Sequence, residues 1–153
     1  GTGAGKYTFN SIMPNSGSIV LQDVSTAAGQ VDVLSVSADG TQLRFTPAAE
    51  KTFNLTLARQ VGDQARAIAI RGAGGGPAAE VDVTLSPELS LVRVGNRGGA
   101  RNIEVRAFAL NRTTNTPINK QFAAVNVPTK HDLMVAVQDW ATLNASVQTL
   151  SFE

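Results

Sequence analysis

The chain contains no cysteine, and only one histidine, one tryptophan and one tyrosine. The first absence excludes disulfides, thiolate metal sites and thiol nucleophiles together. A single histidine leaves the usual zinc ligand sets unfilled, and so few aromatics give sugars or bases little to stack on. No apolar run approaches the roughly 18 residues that a membrane-spanning helix needs, and no signal-peptide pattern is present. Charge of neither sign dominates. Thirteen basic side chains face 12 acidic ones, for a net charge of +1, so no global field attracts nucleic acid or an anionic membrane.

What the sequence does contain is alternation. Apolar residues make up 42% of the 153 positions and charged residues 16%, which suits one buried core and argues against global disorder. Phe53, Leu55 and Leu57 share one face, opposite Asn54, Thr56 and Ala58. Leu43 and Phe45, then Val81, Val83 and Leu85, then Ile103, Val105, Ala107 and Ala109 repeat the period of two. Such runs mark half-buried strands. Less regular ones occupy 18–24, 31–36, 66–71, 89–94, 122–127 and 146–152.

Turn chemistry separates the runs. Asp39-Gly40 is the clearest hairpin signal; Pro14-Asn15-Ser16-Gly17, Gly62-Asp63, Asn96-Arg97-Gly98-Gly99 and Asn115-Thr116-Pro117 supply the others. The expected fold is all-β and mainly antiparallel, a β-sandwich or jelly roll of about nine or ten short strands. One domain is expected over 1–153, with the glycine-rich stretch 72–77 as its one candidate subdivision. Around 130–143 the pattern favours a short helix: Leu133, Met134, Val137, Trp140 and Ala141 keep helical spacing, and Thr129 and Asp132 stand at capping-box spacing. Read as a strand instead, 133–137 is a continuous apolar run ending near a tryptophan.

The search for chemistry yields little. His131, between Lys130 and Asp132, reads as a solvated residue, with no Gly-x-Ser-x-Gly elbow to accompany it. The carboxylates are scattered without an EF-hand pattern. The glycine-rich start at 1–6 lacks the preceding strand and following helix that a phosphate loop requires. No catalytic residue, metal ligand or cofactor is assigned, and the chain is read as a non-enzyme. The candidate binding residues are Arg93, Arg97, Arg101, Arg106 and Arg112, five arginines within 20 positions opposed only by Glu104, together with Trp140. The arginines could meet phosphates, sulfated sugars or acidic side chains, although Phe108 is the only aromatic among them. Trp140 reads more simply as a core or rim anchor.

Over 80–153, the residues Val94-Gly95-Asn96-Arg97-Gly98-Gly99, the strand 101–110, Val125-Asn126-Val127-Pro128 and Val137-Gln138-Asp139-Trp140 resemble the immunoglobulin-like or fibronectin-like accessory domains of bacterial secreted proteins. That resemblance implies a β-sandwich that spaces, presents or binds without doing chemistry, with 134–140 as a strand. The paired strands of 52–71 and the strand-then-helix of 122–143 also look similar to the coat proteins of small RNA phages. That second resemblance implies self-assembly, with outward arginines such as Arg106 facing RNA. The leading expectation is an extracellular or cell-surface spacer or binding module whose partner is a protein or polysaccharide. A self-assembling coat subunit of a virion, or a filament subunit, is the alternative, and a carbohydrate-binding module using Trp140 is a third. Nucleic acid enters only under the coat-protein alternative.

Overall fold

Alternation becomes strand after strand in the computed structural model, which describes residues 17–26, 31–47, 52–74 and 80–152. The strands are β1 (Val20–Thr26), β2 (Val31–Val36), β3 (Gln42–Pro47), β4 (Phe53–Val61), β5 (Gln64–Gly74), β6 (Val81–Leu85), β7 (Leu91–Asn96), β8 (Arg101–Asn111), β9 (Thr116–Val127), β10 (His131–Asp139) and β11 (Asn144–Ser151). Two antiparallel sheets result, one of order β1-β4-β5-β8-β9 and one of order β11-β10-β7-β6-β3-β2. The expected all-β sandwich is the fold, and among the described residues there is no helix.

Chain order dictates how the sheets interlock. Successive hairpins β2–β3, β4–β5, β6–β7, β8–β9 and β10–β11 fall in alternate sheets, and every other connection crosses between the sheets. Because all pairings are antiparallel, the hairpin turns collect at one end of the sandwich and the crossovers at the other. Spatial order runs with the chain in both sheets. A constant-type immunoglobulin sheet differs, since it places its fourth strand outside its fifth.

The inward rows are those that alternation picks out. Leu43, Phe45, Phe53, Leu55, Leu57, Val81, Val83, Ile103 and Val105 are all buried in one cluster. Phe45 and Phe53 meet edge to face across the sheets, with ring centroids 5.0 Å apart. Gly72 lies between Phe53 and Ile103 in register, and a Cβ there would run into the Phe53 ring. That glycine therefore serves close packing inside a strand and is not part of a linker. Strands before and after the glycine-rich stretch pair with one another, β3 with β6 and β5 with β8. Residues 75–77 of that stretch lie outside the described residues, as do 1–6 and the turn residues Pro14, Asn15 and Ser16.

The helix expected around 130–143 is not formed. Leu133, Val135 and Val137 point into the core while Met134 and Ala136 point away, and β10 is hydrogen-bonded on both sides, by β7 and β11. Two β-branched residues and a partner on each edge satisfy this backbone better than a short helix would. Lys130, at φ 59, breaks the capping-box geometry between Thr129 and Asp132. Trp140 and Leu143 reach the core from the hairpin turn that follows β10, so the helical stripe is a coincidence of spacing. The strand count rises to eleven through β10, while β9 starts earlier than expected through its polar first half, whose sequence Thr-Pro-Ile-Asn-Lys-Gln carries no alternation. Pro117 lies inside that edge strand and does not close the preceding turn, a position where its missing N–H is tolerated. Leu89 sits outside β7, at φ 63, and plugs the hairpin end with a fully buried side chain.

Asp39-Gly40 makes the expected hairpin turn. Gly40 takes φ 76 beside the Ile19 carbonyl, where a Cβ would collide. Asp39 Oδ1 accepts hydrogen bonds from Thr41 Oγ1 at 2.6 Å, the Thr41 amide at 3.1 Å and Ser37 Oγ at 2.9 Å. These bonds, led by the Thr41 hydroxyl, lower the carboxyl pKa from 3.8 to about 2. Since the folded value is depressed, the turn's contribution is complete above the unfolded pKa and is lost as pH falls through the folded one. An NMR titration is expected to place the Asp39 midpoint near 2, rising toward 3.8 in Thr41→Val. A wild-type midpoint at the ordinary value would contradict the turn geometry.

Candidate functional site

The most organised polar constellation lies on the outer face of the six-stranded sheet. Register aligns Arg44 with Asp82, Asp82 with Gly95 and Gly95 with Asp132. Arg93 sits one row away, between Thr84 and Met134. Its Nη1 lies 3.1 Å from Asp82 Oδ1 and 3.0 Å from Asp132 Oδ1, and its Nη2 donates to Thr84 Oγ1 at 2.7 Å. Gly95 makes this convergence available, because a Cβ there would press on both carboxylates.

The array continues outward from that centre. Arg97 Nε donates to Asp82 Oδ2 at 3.1 Å and lies 3.7 Å from Glu80 Oε1. Glu80 in turn takes Arg44 in a two-pronged pair at 2.8 and 3.0 Å. That hydrogen-bonded pair holds Glu80 below the ordinary carboxylate range and raises Arg44. The Arg97 guanidinium also lies 5.3 Å from the centroid of the Phe152 ring. Arg44, Glu80, Arg97, Asp82, Arg93 and Asp132 thus alternate in sign across four neighbouring strands, three charges of each kind. Planar guanidiniums bridging two carboxylates fix geometry as well as energy.

Of the arginines expected to form a binding cluster, the fold brings only Arg93 and Arg97 together. The crossover at 97–100 sends the chain into the other sheet, so Arg101 and Arg106 belong to β8 and cannot share a face with β7. Arg101 is fully buried, and burial lowers its pKa. It donates from Nε to Asn96 Oδ1 at 3.2 Å and from Nη1 to the Gly74 carbonyl at 2.9 Å. Arg106, facing outward from the five-stranded sheet, donates to Gln121 Oε1 at 3.2 Å. Arg112, at the hairpin end, donates to Gln60 Oε1 at 2.8 Å.

Trp140 is buried in the β10–β11 turn, with the Arg66 guanidinium 5.0 Å from its ring centroid. It anchors the hairpin end. Beside it, Arg59 and Arg66 reach across from the five-stranded sheet to the Pro87 and Glu88 carbonyls, both at 2.8 Å.

Sequence reasoning missed Arg44, Glu80, Asp82 and Asp132, which lie far apart in the chain and become neighbours only through pairing. It also missed Asn96 as a structural hub. That buried side chain donates to the Gly99 and Val127 carbonyls at 3.0 Å and accepts from the Gly98 amide and Arg101, tying two crossovers together. No protein-family model, curated protein or solved structure matches the chain. Among the described residues, no group of three His, Cys, Asp or Glu side chains is placed to hold a metal ion. His131 Nδ1 lies 3.0 Å from the Thr129 carbonyl, in a local turn contact. The ladder sets charges of alternating sign in fixed order on one face of the sheet.

Removing Arg93 leaves the largely buried Asp132 without its cation and Asp82 with Arg97 alone. Arg93→Met is expected to cost about 1–3 kcal/mol in urea unfolding, whereas Arg106→Met and Arg112→Met should stay within about 0.5 kcal/mol. Equal, small effects at all three positions would contradict the ladder's coupling.

Proposed function

We propose that the chain is a non-catalytic β-sandwich module of an extracellular or cell-surface protein, which acts as a spacer and presents the face of its six-stranded sheet to a protein partner. The observation that carries this reading is the six-charge ladder. A rigid surface with three charges of each sign complements another patterned protein surface and gives a polyanion no net attraction. Leu150 and Phe152, exposed beside it, add the apolar contact that protein interfaces use at their centres. The spacer role is supported by the path of the chain. It enters β1 at the hairpin end of one flank and leaves β11 at the crossover end of the opposite flank.

A second reading, a self-assembling coat or filament subunit, is favoured by one observation, the outward position of Arg106 on the other sheet. Its further support from a C-terminal helix is gone. Carbohydrate recognition through Trp140 has less behind it, since the ring is buried under Arg66 and offers no open stacking face.

Light scattering after size exclusion, combined with filter binding to single-stranded RNA at low salt, separates the two readings. The module is expected to run as one or two chains and to leave RNA unretained. Large closed particles that retain RNA would overturn the proposal in favour of the coat subunit.

A further inference from the structure

The sandwich has four lateral edges among the described strands: β1 and β9 in one sheet, β2 and β11 in the other. An edge strand offers unpaired backbone donors and acceptors to any extended chain, and proteins usually guard it with charge, proline or a bulge. Three of the four edges carry such guards. β1 includes Asp23 and a register shift after Leu21. β2 includes Asp32 and a register shift after Val31. β9 includes Pro117 and Lys120, with a register shift near its middle.

β11 is the least guarded: the one register shift in its pairing falls at its first residue, between Asn144 and Ala145, with the extra residue on β10. Its sequence, Asn-Ala-Ser-Val-Gln-Thr-Leu-Ser, holds no charge and no proline, and its pairing with β10 runs without interruption from Ala145 to Ser151. The strand lies at the rim of the sandwich, opposite the edge strand β9. The effect shows in one register pair. Val135 of β10 is 0% exposed, while its ladder partner Val147 is 38% exposed. The apolar inner row thus continues past the point where the opposite sheet covers it. Leu150, on the outer face beside Asp132, is 45% exposed.

We propose that β11 is a homodimerisation edge, pairing antiparallel with β11 of a second copy about a two-fold axis near Val147. The occupant follows from the absence of charge. A two-fold antiparallel pair sets each strand against its own sequence, so any central charge would face its like at a cost. Among these edges only β11 is free of charge along its whole length. The resulting continuous sheet of twice six strands gives Val147 an apolar neighbour from the other copy. It also carries two charge ladders on one face, so a repeating partner would be held by both at once. That last consequence rests on the function proposed above; the dimer itself does not.

Sedimentation equilibrium over a concentration series tests it. The wild type is expected to pass from one chain to two and no further. Val147→Lys, folded by far-ultraviolet circular dichroism, should weaken dimerisation by about tenfold or more, while Val36→Lys on the β2 edge leaves it unchanged. Because the chain has no cysteine, Gln148→Cys can be labelled uniquely with pyrene. Excimer emission is expected from it and not from labelled Val36→Cys. A wild type that stays monomeric at millimolar concentration would sink the dimer and leave the spacer reading standing. Open-ended growth beyond two chains, or dimers lost through Val36→Lys and kept in Val147→Lys, would also overturn it.

Discussion

Each hairpin of this chain is followed by one in the opposite sheet, so neighbouring hairpins within a sheet are separated in sequence by a hairpin of the other. β2 and β3 stand between β1 and its partner β4, and the same holds at every later step. What makes that path favourable is the shared apolar layer. Phe53, Leu55 and Leu57 from one sheet and Phe45, Val81, Val83, Leu133 and Val135 from the other are sealed together. Fully burying residues of this size contributes on the order of 1.5–3 kcal/mol each before ordering entropy is set against it. The dense pairing of strands distant in sequence follows from that single layer.

The two ends of the sandwich then carry different burdens. The hairpin end is closed by Leu89, Trp140 and Leu143, with Arg59 and Arg66 holding the turn at 86–90 by its carbonyls. The crossover end is held by Asn96 and the buried Arg101, which link the Gly74, Gly99 and Val127 backbones. A buried guanidinium with no carboxylate is costly. Its bonds to Asn96 and to the Gly74 carbonyl offset part of that cost and give the crossovers a shared donor. Between these ends, the outer face of the six-stranded sheet holds charge in fixed order.

Much of the fold was legible in the sequence because alternation reports a local property, the side of a strand on which a residue lies. Phe53, Leu55, Leu57, Leu43, Phe45 and Ile103 all turn inward as their spacing implies, and Asp39-Gly40 and Gly62-Asp63 turn where they should. The C-terminal error has the same root. Leu133, Val137 and Trp140 are apolar at helical spacing, but two of the three belong to a strand and the third to the turn beyond it, and only partners from β7 and β11 decide between the patterns. The candidate site was less legible still. Arg93 and Arg97 could be singled out, yet their carboxylates, Asp82, Glu80 and Asp132, are brought to them by register alone. Gly95 lies just before the turn signal at 96–99, and only register gives it a packing role between two carboxylates.

The account rests on the claim that consecutive hairpins belong to opposite sheets. Cross-strand nuclear Overhauser contacts test this most directly. The account predicts contacts joining Leu43 with Val83, Ile70 with Val105 and Val92 with Val135, the register partners of β3–β6, β5–β8 and β7–β10. A backbone contact ladder joining β3 to β4, or β7 to β8, would contradict it.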